Sequence, residues 1–261
     1  MLQESPNWLL QRGELTPTLT ALVFGARRWT FHEMLLESDA VAQRLATLGI
    51  SKGNRVAMLM RNGPDFVFLA HAMQAIHAVL VPLNLRLTPA EISWQLADVR
   101  AALLITDPAN AANAIQATRD LPDVRLVVTG DEELSGITPL SRVLKAQPHT
   151  HQFFTRTDLS TIHSIIYTSG TTGKPKGVML SYSNLWWSAM SSALNLGIHR
   201  DDVWLAVLPL FHVGGLSMLM RGAIYGCTVV VHEAFDPQAV NHAIEGEPIS
   251  MISVVSTMLQ R

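Results

Sequence analysis

The chain has 261 residues, 48% hydrophobic and 15% charged, which is enough apolar material for a sizeable core in one large domain or two smaller ones. A net charge of −2 argues against a nucleic-acid or polyanion surface. The single cysteine, Cys227, allows no internal disulfide framework, fits a reducing compartment and sits in an apolar run that reads as core.

The N-terminus lacks a basic segment followed by an apolar one, so no secretory signal is expected. Thr30-Phe31-His32-Glu33 is a capping box, and the helix behind it carries Phe31, Leu35, Val41, Leu45 and Leu48 before Gly49 stops it. Arg55 to Met60 reads as a strand. Phe66 to Leu83 has the length of a membrane span, but His71, Gln74 and His77 interrupt it and Pro82 lies near its end. A buried helix opened by Pro64, then a strand from Ala78 to Leu83, accounts for it, in a cytoplasmic protein with no membrane span. Thr88-Pro89-Ala90-Glu91 is a second capping box. Ala101 to Thr106 and Arg125 to Thr129 follow as strands, with a helix from Asp107-Pro108 between them. Asp131 to Thr161 has the weakest periodicity and reads as an edge hairpin or a connection between two sheets. His163 to Tyr167 is a buried strand. Val203 to Leu208, Cys227 to His232 and Ser250 to Val254 are strands, with helices over Gly214–Tyr225 and Pro237–Glu245 between them. Repeated β-α-β order predicts an α/β fold of parallel sheets flanked by helices.

Tyr167 is followed by Thr168-Ser169-Gly170-Thr171-Thr172-Gly173-Lys174-Pro175-Lys176-Gly177. Three glycines let backbone N–H groups approach oxygens closely, hydroxyls add hydrogen bonds, and two lysines add mobile positive charge. A polyphosphate needs this chemistry; a solvated turn is the bland alternative. A helix capped by Ser181 or Ser183 is expected next, which places the loop between a strand and a helix like other phosphate cradles. Neither a Walker loop nor G-x-G-x-x-G is present. A second cluster, Leu208-Pro209-Leu210-Phe211-His212-Val213-Gly214-Gly215, follows a strand and opens a helix. There His212 is expected to face the crevice at the carboxyl ends of the strands, where open α/β sheets bind ligands. Taken alone, it reads more readily as a histidine packed at a helix start. The remaining histidines form no metal-ligand pattern.

Thr168–Gly177 together with Pro209–Gly215 resembles the adenylate-forming family of acyl-CoA synthetases, luciferases and peptide-synthetase adenylation domains. Trp29-Thr30-Phe31, Gly53-Asn54-Arg55-Val56-Ala57 and Val81-Pro82-Leu83-Asn84 are similar to further signatures of that family, although Asn54 stands where an aspartate is usual. Pro6–Leu9, Ser192–Ile198 and Met251–Leu259 look most like the o-succinylbenzoate–CoA ligases of menaquinone synthesis.

The resemblance implies a reaction in two halves: a small-molecule carboxylate attacks the α-phosphorus of Mg·ATP, and the thiol of CoA then displaces AMP. It assigns Thr168, Ser169, Gly170, Thr171, Thr172, Gly173, Lys174, Lys176 and Gly177 to the β- and γ-phosphates. Lys176 is expected to outrank Lys174 because Pro175 stiffens the chain before it. His212 is implied to line the acyl-carboxylate pocket and the end of the CoA tunnel. Ser256 and Thr257 approach the acyl or adenine site, or merely cap a strand. Family members run on well beyond this length, so the chain is expected to be the front part of a ligase, inactive alone. The glutamate that helps hold Mg²⁺ is then expected beyond residue 261. A first α/β subdomain is expected at about 30–190, and a partial second one from about 1–29 and 191–261. An incomplete second sheet predicts self-association, a homo-oligomer among its forms. Two other readings stay open: a peptide-synthetase-type adenylation domain, and a non-catalytic nucleotide- or pyrophosphate-binding module.

Overall fold

The computed structural model describes residues 3–144, 153–169 and 175–260. In chain order the elements are β1 (Glu4–Pro6), α1 (Trp8–Leu15), β2 (Thr20–Phe24), β3 (Arg27–Thr30), α2 (Phe31–Thr47), β4 (Arg55–Leu59), α3 (Pro64–Ile76) and β5 (Val79–Pro82). Then come α4 (Pro89–Asp98), β6 (Leu103–Thr106), α5 (Ala111–Thr118), β7 (Arg125–Val128), β8 (Arg156–Asp158), β9 (Ile162–Thr168), β10 (Lys176–Ser181) and α6 (Tyr182–Leu196). The chain continues through β11 (Val203–Ala206), α7 (Val213–Tyr225), β12 (Thr228–Val231), α8 (Pro237–Gly246) and β13 (Met251–Ile252).

The strands form two large sheets and a small one. The six-stranded sheet runs β10-β9-β5-β4-β6-β7 and the five-stranded sheet β13-β11-β12-β2-β3. Each is parallel except at one end, where β10 pairs antiparallel with β9 and β3 with β2. The α/β expectation therefore holds, with mixed, mostly parallel sheets. Parallel strands covered by helices on both faces lose their alternation, and so β4, β5, β6 and β11 read as continuous apolar runs.

Local chemistry sets the helix ends. The Thr30 hydroxyl accepts from the Glu33 N–H, and the Glu33 carboxylate accepts from the Thr30 N–H at 2.8 Å. Thr88 and Glu91 repeat the arrangement at α4. Such boxes satisfy two orphan donors of a first turn and contribute about 1 kcal/mol each. At the far end of α7, Arg12 of α1 donates to the carbonyls of Ala223 at 3.1 Å and Ile224 at 2.6 Å. Gly226 follows in the left-handed region at φ 79°, where a Cβ would strike the Arg12 guanidinium at 2.9 Å. Arg12 thereby ties α1 to the helix that follows His212.

The apolar interior is shared by both large sheets. Phe31 and Leu45 of α2, Phe66, Leu69 and Met73 of α3, Met58 of β4, and Leu216 and Met218 of α7 all belong to one buried cluster. The long apolar stretch is α3, buried from Phe66 to Ile76, followed by β5. Among the described residues no helix is long and apolar enough to cross a membrane. Cys227 is a buried free thiol, pushed up to about 12 by its burial, with the Asp202 charge adding to the rise.

Two expectations are corrected here. The glycine- and threonine-rich loop does not lead from a strand into a helix. Lys176–Ser181 is a strand on the sheet edge, paired antiparallel with β9, and Ser181 caps α6 only after that strand. The weakly patterned region before it holds β8, which pairs antiparallel with β1 in a separate two-stranded sheet. The His149 and His151 part of that region lies outside the described residues.

Candidate active-site cleft

Every parallel strand of an open α/β sheet delivers its next loop to the carboxyl edge. Here the carboxyl edges of the two large sheets face one another across a cavity of about 480 Å³. Asn62 enters after β4, Asn84 and Arg86 after β5, His212 after β11, Glu233 after β12 and Thr257 after β13. Six polar side chains from five strand ends thus converge on one volume, large enough for a drug-sized ligand.

His212 is the N-cap residue of α7, with extended backbone and no side-chain cap. Its N–H donates to the Pro209 carbonyl at 3.1 Å and its carbonyl accepts from the Leu216 N–H at 2.9 Å. The ring is therefore free to serve the cavity, with the Phe211 ring 4.4 Å away between centroids. Partial burial, then the positive charge of Arg86, hold the imidazole below its ordinary value of 6.5. A neutral imidazole beside a guanidinium is suited to orient an anionic group without carrying a charge itself. Among the described residues, Arg86 makes no salt bridge.

The two glycines after His212 have a packing reason. A Cβ on Gly215 would lie 2.3 Å from the Pro209 carbonyl oxygen and 2.8 Å from Leu210 Cα, all backbone. Only glycine lets α7 begin this close to the turn that bears His212. Gly215→Ala is expected to lower stability by about 2 kcal/mol through overpacking. Urea unfolding read by tryptophan fluorescence checks it, and an unchanged midpoint would show that the turn relaxes freely.

The hairpin side of the cleft is described in part. Thr168 and Ser169 are exposed at the end of β9, and Lys176, exposed, opens β10 directly opposite Thr168. Gly177 pairs with Tyr167, and a Cβ there would lie 2.9 Å from Ile165 Cγ2. Gly170, Thr171, Thr172, Gly173 and Lys174 lie outside the described residues. Since β9 runs parallel to its neighbour β5, Thr168 emerges at the same sheet edge as Asn84 and Arg86.

Of the residues singled out in the sequence, the structure brings His212 and Thr257 into the cavity, whereas Ser256 is exposed and absent from its lining. Thr168, Ser169 and Lys176 also stand outside that lining. Asn62, Arg86 and Glu233 went unread. The signal that marks them is positional: each is a polar residue within four positions of the end of a parallel strand.

A family model for AMP-binding enzymes matches residues 9–261. The chain belongs to the AMP-binding enzyme family. Within this AMP-binding family, 2-succinylbenzoate–CoA ligase of Bacillus pumilus is 41% identical, over 100% of this chain and 50% of its own length. The chain thus spans about half the length of the curated relatives it matches. The o-succinylbenzoate CoA synthetase of Bacillus subtilis, solved in complex with the acyl-adenylate intermediate, superposes with a TM-score of 0.89 at 36% identity. That match covers 99% of this chain and 50% of the solved one. The same synthetase solved with ATP and magnesium ion gives 0.86 at 35% identity, over 98% of this chain and 65% of that one.

Proposed function

We propose that this protein contributes the phosphate loop and one wall of the acyl pocket to an ATP-dependent acid–CoA ligase of the cytoplasm, with o-succinylbenzoate as the acid. The observation that carries the reading is the cleft itself. His212 and Arg86 line a cavity between two carboxyl edges, and Thr168 and Lys176, which flank the loop, are paired at one of those edges. The AMP-binding relatives support the chemistry. Their printed names support the choice of acid.

In this reading the substrate carboxylate enters the cavity beside His212 and attacks the α-phosphorus of ATP, forming an acyl-adenylate and releasing pyrophosphate. Charge accumulates on the departing pyrophosphate, and positioned cations and N–H donors stabilise it in proportion. The hairpin residues Thr168–Gly177 take the β- and γ-phosphates. The CoA thiol then attacks the acyl carbon and AMP leaves. Among the described residues no group of three His, Cys, Asp or Glu side chains is placed to hold a metal ion. Magnesium in nucleotide sites is held by one or two carboxylates and the substrate phosphates, so the triphosphate and the glutamate expected beyond residue 261 would hold it and it would neutralise phosphate charge there.

A peptide-synthetase-type domain is disfavoured by His212, since an aspartate after the aromatic would be needed to pair with an amino group. The test is o-succinylbenzoate-dependent ATP–pyrophosphate exchange by the protein expressed from its whole reading frame. Exchange without thioester formation would remove CoA from the reading. Binding of nucleotide without exchange would favour the non-catalytic module.

Lys176 leads Lys174 in this account. Its backbone is fixed by the ladder opposite Thr168, so its ammonium starts from an anchored Cα. Lys176→Ala is expected to slow exchange about tenfold more than Lys174→Ala. Parallel rate measurements on the two variants check the ranking, and equal losses would overturn it.

A further inference from the structure

The six-stranded sheet contains a reversal of strand order. From β4 the chain moves outward to β5, then crosses back over β4 to reach β6 and continues to β7. Open α/β sheets commonly place a ligand in the crevice that such a reversal leaves, here beyond the carboxyl ends of β4 and β6. In this protein Arg61 and Asn62, between β4 and α3, occupy that crevice and reach across it to the second sheet.

The two residues do different work. The Arg61 Nε and backbone N–H donate to the Asp107 carboxylate after β6, at 2.9 and 3.0 Å, and its Nη1 reaches Glu233 after β12 at 2.9 Å. Its side chain is 45% exposed, so solvent screens these pairs and they hold little. Asn62 is only 8% exposed. Its amide nitrogen donates to the carbonyls of Leu208 at 3.0 Å and His232 at 3.1 Å, and its amide oxygen accepts from the Leu210 N–H at 2.9 Å. One buried amide therefore binds the chain just after two strands of the second sheet, β11 and β12, and grips the Pro209 turn from either side. The second residue beyond Leu210 is His212, and Asn62 and His212 line the same cavity.

We propose that Asn62 is a positioning residue for His212. Its three hydrogen bonds fix the Leu208–Leu210 backbone, and through it the direction of the imidazole. The coupling rests on the ligase reading for its consequence, though not for its geometry. Only glutamine shares this pairing of two amide donors with one acceptor, and its extra methylene would displace the amide from these three partners. An aspartate would set oxygen against the Leu208 and His232 carbonyls, and a leucine would leave three buried backbone groups unpaired.

The test is a double-mutant cycle on the full protein, read by calorimetric binding of a non-hydrolysable probe, o-succinylbenzoyl sulfamoyl-adenosine. Asn62→Ala and His212→Ala are each expected to weaken the probe about tenfold, and the double variant also about tenfold, because the second change removes nothing further. A double variant weakened about a hundredfold means that the two residues act independently, and overturns the proposal. Asn62→Ser, which keeps one donor and one acceptor, replaces Asn62→Ala if the latter does not fold. A second readout needs no ligand: the histidine ring resonances of isotope-labelled protein. The His212 signals are expected to move in the Asn62 variant while those of His32, on α2, stay in place. Unmoved His212 signals overturn the proposal whether or not the probe binds. Failure of the wild type to bind the probe counts only against the ligase reading.

Discussion

Lowering the pH from 7.5 to 4.5 is expected to remove about 5 kcal/mol of folding stability through two histidines remote from the cleft. His163 on β9 is 0% exposed and His71 on α3 is 3% exposed. Desolvation pushes His163 down to about 3, helped by the charge His71 would carry, and pushes His71 down to about 4. The sign follows from which state takes the proton. Above 6.5 both rings are neutral, folded or unfolded. As the pH falls through 6.5 the unfolded chain binds two protons, and the folded chain refuses them until about 4 and about 3. Each pH unit in that window costs about 1.4 kcal/mol per histidine. Asp39 opposes the trend: burial pushes its carboxyl up to about 6, so the folded state gains from its proton as the pH falls. It is one partly exposed group against two fully buried ones and His77, which burial also pushes down to about 4 in wild type and control alike, and solvent screening shrinks its share. A loss of about 5 kcal/mol approaches the whole stability of an ordinary domain. Urea midpoints at the two pH values measure it, with the double variant H71L/H163F as control. The control should lose much less between pH 7.5 and 4.5. An equal loss in both proteins would move the cause elsewhere.

Much of the architecture was legible because it rests on local chemistry. The capping boxes at Thr30 and Thr88, the stop at Gly49, and the apolar runs of β4 to β7 each carry their cause within a few residues. The β2–β3 hairpin was missed. Its turn is only Gly25-Ala26, with Gly25 at φ 56°, and its strands add to a sheet whose other members come after residue 200. No local pattern announces such a partner. The strand β10 was missed for another reason: it lies on a sheet edge with four exposed residues in a row, and the Ser181 cap drew attention to the helix beyond it. In the cleft, His212 stood out because an aromatic, a histidine and two glycines at a strand end are rare together. Asn62 and Arg86 did not, since a single polar residue after a strand has no signature until the fold shows what it faces.

Removing the His212 imidazole is expected to slow acid-dependent exchange about a hundredfold while changing the Michaelis constant for ATP less than threefold. The reasoning begins with position. His212 lies at the start of α7, on the cavity wall, whereas the residues proposed to take the phosphates flank β9 and β10 of the other sheet. Loss of the ring should therefore misplace the carboxylate and leave the triphosphate held. Its protonation state adds an independent check. Burial and the Arg86 charge keep the ring neutral below its ordinary 6.5, so wild-type exchange should keep its rate down to a pH lower than that value. Arg86→Gln removes the second cause, and the acid limb of its pH profile should move upward. A His212→Ala protein with full exchange, or an Arg86→Gln acid limb that stays where the wild type has it, would mean that the ring only packs against Phe211. The carboxylate would then have to be oriented by the remaining cation of the cavity wall, Arg86 itself, and Arg86→Gln would show the hundredfold loss instead.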